Sequence, residues 1–295
     1  MHGIREFNDK IKSLKNTRKI TSSMKMVSTV KFQKFSRSKA SAINFAQSVD
    51  AAASKFFAFS DSAITTFSDN ENAPSNKALI VFFTADRGLC GRYNTNVFRE
   101  TLKISEQLKK ESIDSVFCCS GSKGTAYLTR YKLQCEHFFS TAAANPDVKN
   151  AHEIARYCLN KYQSGEVDSV YLVYSQRKSS LSEEPVFQKI LPIQNDTAST
   201  SQNAAMGLHS LLLENSAEEI ELHLFQMKMF ASVYRALIES AESEHSARMS
   251  AMETATTNCD KMIQNYQQLR NRARQTAITT ELSEIVTGKE ALESN

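Results

Sequence analysis

The sequence predicts an α/β protein: a long antiparallel coiled coil of N- and C-terminal helices with an inserted Rossmann-like α/β domain. Three observations carry this. All four prolines (Pro74, Pro146, Pro185 and Pro192) and five of the eight glycines lie between positions 74 and 192. Neither residue occurs from Ile4 to Ala73 or from Leu208 to Thr287, so two long segments lack the usual helix breakers. The middle alternates apolar runs with helix-spaced segments, the pattern of a mostly parallel sheet. The expected division is 1–60 for the first helix, 75–195 for the α/β domain and 207–288 for the last helix.

A single helix over the C-terminal segment would reach about 120 Å at 1.5 Å per residue. A helix of that length must pair with another or run through a partner. Met252, Cys259, Tyr266 and Ala273 recur every seven residues, and so do Ala255, Met262, Leu269 and Thr276. These two columns predict an a/d seam. Ile4, Phe7, Ile11 and Leu14 begin a similar stripe near the N-terminus, so the two segments are expected to pair. Ala, Cys, Thr and Tyr make a weak seam. Either the pair is braced by other subunits, or the segments form a modest helical bundle in a different register.

In the middle, Ala78–Thr84 is an apolar run of buried-strand type. Thr95–Lys110 follows with helical spacing, then Ser115–Ser120 as strand and Lys123–Tyr131 as helix. Ala151–Tyr162 is helical, with His152, Ala155, Arg156 and Leu159 spaced by three and four. Ser169–Ser175 is a third strand. Val186–Ile193 is a fourth, reached through a polar hairpin. Thr197–Ser201 reads as a short linker.

Residues 5–39 hold eleven bases and two acids, although the whole chain has a formal charge of only +4. Such an arm calls for an acidic partner. Lys12, Lys15 and Lys19 share one helix face, as a DNA-binding helix would require. However, the continuation Ser41–Phe59 has no leucine heptad, which favours an acidic protein surface over nucleic acid. The opening Met1–Phe7 has no apolar signal core, and no apolar run approaches the roughly 20 residues of a membrane span. The chain is expected to stay in the compartment where it is made. The six cysteines form no CxxC pair and are expected to be reduced packing residues, with Cys118 and Cys119 on opposite faces of a strand.

Asp86-Arg87-Gly88-Leu89-Cys90-Gly91 lies between a strand and a helix, where a phosphate loop would sit. It lacks both the three-glycine spacing of a dinucleotide fingerprint and the Lys-Ser/Thr of a P-loop. Gly121-Ser122-Lys123-Gly124 is a second glycine loop with the same shortcomings, and a tight strand-to-helix turn explains both. Cys90, His137 and His152 are not placed together by any pattern. The histidines show no metal-ligand spacing. No cofactor is expected.

Three segments, in order, resemble the gamma subunit of F-type rotary ATP synthases. They are Lys15–Thr21 continuing through Met24–Val27; Asp86–Gly91 with Tyr93-Asn94; and Ser243–Met249 with Ala251-Met252, leading to Arg272–Gln275 and Ile278–Val286. The resemblance spans essentially the whole chain. It implies a rotor shaft without a catalytic site, turning inside a ring of three alpha and three beta subunits. The α/β domain would lie against epsilon and the membrane c-ring, so membrane association would be indirect, on the cytoplasmic face of a bacterial inner membrane.

Matched to the family, Arg274 and Gln275 correspond to a pair that hydrogen-bonds a beta-subunit loop. Met24 and Lys25 correspond to a segment near an acidic beta loop, and Arg248 to a position tied to coupling. Asp86, Arg87, Gly88 and Gly91 correspond to a structural turn. Arg270 stands where the family commonly has an aromatic residue, Lys289 follows Gly288 where it usually has alanine, and Gln194–Leu208 lacks the family's pattern for that stretch. Other readings are a helical scaffold, such as a central-stalk subunit of a V-type ATPase, and, more distantly, a nucleotide-binding α/β enzyme.

Overall fold

The computed structural model describes residues 2–57, 75–140, 142–143, 145–179, 183–192 and 217–293. The expected linker at 197–201, the stretch 194–208 and the outer ends of the three expected domains near 58–60, 193–195 and 207–216 lie outside these residues. The elements are α1 (His2–Phe57), β1 (Lys77–Phe83), α2 (Tyr93–Lys110), β2 (Asp114–Ser120), α3 (Ser122–Arg130), β3 (Cys135–Phe139), α4 (Val148–Gln163), β4 (Ser169–Arg177), β5 (Glu183–Leu191) and α5 (Ala217–Glu293). The chain divides into two compact units, one of Met1–Ser28 with Arg248–Asn295 and one of Thr29–Ala247.

The first unit is a pair of helical segments. Phe7 meets Tyr266 at 6.3 Å between ring centroids, Arg18 Nε lies 2.5 Å from Asp260 Oδ1, and Thr21 Oγ1 lies 2.8 Å from Thr256 Oγ1. Lys25 Nζ lies 2.8 Å from Glu253 Oε1. Partner numbers fall along one helix as they rise along the other, so the segments are antiparallel.

The stripe on α1 begins as expected with Ile4, Phe7, Ile11 and Leu14, but continues at the same spacing through Arg18, Thr21, Lys25 and Ser28. On α5 the column Met252, Cys259, Tyr266, Ala273 is correct. The second column is not. Met262 is 46% exposed and Thr276 is also exposed, whereas Ile263 is 8% exposed. The second column is Thr256, Ile263, Arg270 and Ala277, offset by four instead of three. Both offsets fit a heptad. The partner's side chains decide between them, and Arg270 escapes an apolar search although its Nη1 lies 3.4 Å from Asn8 Oδ1.

The second unit is built on a five-stranded sheet in the order β3-β2-β1-β4-β5, parallel except for the β4–β5 pair. β1 is buried on both faces from Ala78 to Phe83, as its near-continuous apolar run requires at the centre of a parallel sheet. One face packs on α2 and α3 through Ile80, Phe82, Val97, Phe98 and Leu128. The other packs on α4 and the first part of α5 through Leu79, Val81, Ile154, Met229 and Val233. Cys118 and Cys119 fall on opposite faces, and all six cysteines are free. Asp147 caps α4, its carboxylate accepting from the Asn150 N–H at 2.9 Å.

The strand β3 is an addition to the sequence reading. Cys-Glu-His-Phe-Phe contains no β-branched residue, is five residues long and lies at the sheet edge with alternating exposure. β5 starts at Glu183, three residues before the expected Val186, because its polar beginning pairs with Arg177 and Gln176 of β4.

The seam register has a direct test. Ile263→Ala should cost about 2–4 kcal/mol by opening a cavity, while Met262→Ala should cost less than about 1 kcal/mol. Denaturant unfolding of the two variants checks this. The reverse order would restore the offset-by-three register.

Candidate functional site

The sheet order places a topological switch between β1 and β4: from β1 the chain steps outward through β2 and β3, then returns to the other side. In open α/β proteins the crevice beyond the carboxyl ends of two such strands is where ligands bind. Here the chain's own helix occupies it. Ala247 of α5 packs against Ala85, Cys90 and Tyr93, and Tyr93 Oη lies 2.6 Å from Ser240 Oγ. Gln176 Nε2 donates to Glu239 Oε1 at 3.2 Å, and Arg177 Nη1 lies 4.0 Å from Glu242 Oε1. Eight consecutive residues of α5, Ala236–Ser243, are buried, because α1 covers the other side through Phe35 and Ala42 against Ile238 and Ala241.

Two acids are enclosed in this stretch. Glu239 is fully buried and takes hydrogen bonds from Gln176, Arg235 Nε at 3.4 Å and Tyr174. Glu242, 4% exposed, is held by Lys39 Nζ at 2.9 Å. Burial, together with the nearby Glu239 charge, pushes the Tyr174 hydroxyl up to about 12. Burial, with the Glu244 charge, holds the Tyr93 hydroxyl well above its ordinary range. Burial likewise pushes the Cys118 thiol up to about 12, the behaviour of an inert packing thiol.

Two glycine loops lie at the same end of the sheet. Asp86 Oδ1 accepts from the Ser122 N–H at 3.0 Å, and the Ser122 hydroxyl donates to the Asp86 carbonyl at 2.8 Å. Lys123 N–H donates to Ala85 O and Gly124 N–H to Gly121 O. The N–H groups opening α3, which a phosphate would need, are thus engaged within the chain. Arg87 is exposed, and Gly88 is half-buried beside Lys123. Gly91 has a φ of 57°, and Leu89 before it has 62°. Cys90 accepts from the Asn94 amide at 3.1 Å, and Asn94 Oδ1 accepts from the Ala85 N–H at 2.9 Å. His137 stacks on Tyr157 and His152 on Phe230, each away from Cys90's partners.

The remaining residues singled out from sequence are dispersed. In the first unit, Met24 is half-buried and Lys25 is paired with Glu253. Arg274 and Gln275 are exposed on α5, as is every described side chain from Ile278 to Lys289. Arg248, also in that unit, is 7% exposed. Arg177, Glu239 and Glu242 were missed. No motif marks them, and the signal available was charge placed in an otherwise apolar helix segment.

The terminal helices thus pair through a half-polar seam, and the ligand crevice of the α/β domain is closed by the chain's own helix. The family model described as ATP synthase matches residues 3–292. The ATP synthase gamma chain of Helicobacter pylori (strain HPAG1) is 33% identical over 300 residues, spanning 99% of this chain and 100% of that one. That of Anaeromyxobacter sp. (strain Fw109-5) is 36% identical over 295 residues, again spanning 99% and 100%. Among solved structures, the central stalk and c-ring of Tetrahymena thermophila mitochondrial ATP synthase matches 80% of this chain and 99% of that chain, at 26% identity and a TM-score of 0.57. A chain of the Euglena gracilis mitochondrial ATP synthase, OSCP/F1/c-ring, in rotational state 3 shares the fold at a TM-score of 0.66 and 20% identity, covering 99% and 95%. The chain belongs to the gamma-chain family of ATP synthases. The match does not favour a V-type central-stalk subunit.

Gly121 is the steric keystone of this end of the sheet. Its φ is +95°, and a Cβ there would lie 2.0 Å from the Thr84 carbonyl oxygen. Gly121→Ala is expected to destabilise the chain by about 3 kcal/mol or more, from strain and overpacking together. Gly88→Ala, where the nearest atom is Lys123 Cε at 3.9 Å, should be tolerated. Thermal unfolding of both variants checks the contrast.

Proposed function

We infer that this chain is the non-catalytic rotor shaft of an F-type ATP synthase, coupling ion flow through the c-ring to conformational change in the alpha/beta ring. The observation in the chain itself that carries this is an uncovered apolar surface on both long helices. On α5, Ile278, Leu282 and Ile285 recur at i, i+4 and i+7, with exposures of 48%, 57% and 68%. On α1, Ile20 and Val27 lie seven apart, at 61% and 59%. Antiparallel pairing sets Asn8 against Arg270, and beyond it every described side chain from Ile278 to Lys289 is exposed. Apolar stripes of this kind ask for a protein sleeve.

The basic face of α1 fits the acidic beta-subunit loops that the family presents. Epsilon and the c-ring are the further partners. Among the described residues no helix is long and apolar enough to cross a membrane, so the chain would join the membrane-associated complex through the c-ring. The side of the membrane would be the cytoplasmic face of a bacterial inner membrane. Affinity capture of this chain from native membranes tests the assembly: alpha and beta subunits should co-purify. Recovery with V-type catalytic subunits would overturn the reading.

Within that reading, Arg274 and Gln275 grip a beta-subunit loop, Met24 and Lys25 face the acidic beta loop, and Arg248 contributes to coupling. Asp86, Arg87, Gly88 and Gly91 serve the chain's own turn. Exposure of Arg274 and Gln275 supports their part, since a guanidinium fork and an amide supply directional donors. The double change Arg274→Ala, Gln275→Ala keeps helix propensity. Loss of hydrogen bonds to a charged group costs about 1.5–3 kcal/mol. Full assembly with ATP turnover reduced by more than about tenfold is expected. Subunit stoichiometry and steady-state turnover, measured together, decide it. Unchanged turnover in a complete complex would remove the pair from the coupling contacts.

A further inference from the structure

Arg177, the last residue of β4, reaches two helices. Its Nη1 lies 4.0 Å from Glu242 of α5, and its guanidinium lies 4.8 Å from the ring centre of Phe32 on α1. Glu242 also holds Lys39 of α1 at 2.9 Å. Glu183, the first residue of β5, is the cross-strand partner of Arg177 and is half-buried; it takes a hydrogen bond from Ser246 of α5 and lies within the field of Arg177. We propose that Glu183, Arg177, Glu242 and Lys39 form a proton-sensitive clasp that fastens the β4–β5 hairpin to α1 and α5.

The elements packed at the clasp carry the following charged and titratable groups. β4 supplies Arg177, and α1 supplies Lys39, held on Glu242. From α5 come Glu242 and Glu239, both buried, and Glu244. Tyr93, at the start of α2, feels the charges of Glu244 and Glu183. Lys178 pairs with Glu184 at the exposed side of the hairpin. His245, stacked on Phe35 at 5.6 Å, is a neighbouring residue of a type that titrates near neutrality. The test must therefore separate it from Glu183.

Burial pushes the Glu183 carboxyl up to about 7, while Ser246 and Arg177 pull it back. The closed clasp thus retains a proton that an opened hairpin, with Glu183 in water, would release. A group raised in the closed state stabilises it below the open-state value, and that contribution is lost as pH rises through the closed-state value. The clasp is tight at pH 6 and looser at pH 8.

Hydrogen–deuterium exchange on the complex purified from membranes reads this directly. The segments are 183–191 and 236–247, with rates corrected for the intrinsic pH dependence of exchange. Between pH 6 and pH 8 the opening constant of the wild type should rise roughly five- to tenfold. Glu183→Gln, which mimics the protonated form and leaves His245 in place, should abolish the rise and hold the pH 6 protection at pH 8. Arg177→Gln, by removing the cation that lowers the Glu183 carboxyl, should move the rise to higher pH. Equal protection at the two pH values in the wild type, or a full pH dependence surviving in Glu183→Gln, would overturn the proposal.

Discussion

The enclosure of α5 between the sheet and α1 is the constraint from which the α/β unit follows. One helical segment, from Phe225 to Ala247, presents Met229, Val233 and Leu237 to the sheet core and Ala231, Ile238 and Ala241 to α1. A helix buried on opposite sides has no room for an ordinary polar face. Its small residues allow close approach, and its acids must be answered by partners brought from other elements. Gln176 and Tyr174 of β4 and Lys39 of α1 are those partners, and Arg235, one turn earlier on α5 itself, adds a pair to Glu239. Removing one member leaves an uncompensated charge inside the unit, which costs far more than an exposed pair contributes.

The same enclosure explains why the α/β domain belongs to a mechanical subunit. The switch-point crevice is physically available in this topology, but Ser240, Glu239, Glu242 and Ala247 fill it. The loop after β1 and the start of α3 direct their hydrogen-bonding groups at each other through Asp86 and Ser122. The fold's customary ligand position has become a point of attachment for a helix.

The helix pair of the first unit works by a different balance. Ile4, Phe7, Ile11 and Leu14 give its end an apolar seam, which then turns polar through Arg18, Thr21 and Lys25. Exposed pairs such as Arg18–Asp260 and Lys25–Glu253 contribute at most about 1 kcal/mol each. They fix register better than they hold the helices together. Such a pairing suits a shaft that is supported by surrounding subunits while its outer apolar residues meet them. It also accounts for the ambiguity of the seam in sequence, where polar residues at core positions obscure the heptad.

The sequence by itself determined the long terminal helices, the central strands and the strand-to-helix turns. These rest on local causes: the absence of Gly and Pro, runs of β-branched and aromatic residues, and glycines at positive φ. It also determined the family, because motif order along a chain needs no coordinates. Only the tertiary structure decided the second seam column, since a spacing of three and a spacing of four are equally helical until a partner covers one of them. It alone decided β3, whose edge position supplies the pairing its composition does not. It alone brought Glu183, Arg177, Glu242 and Lys39 together. They come from four separate elements, and nothing local ties an acid on β5 to a guanidinium on β4, a buried acid on α5 and an ammonium on α1.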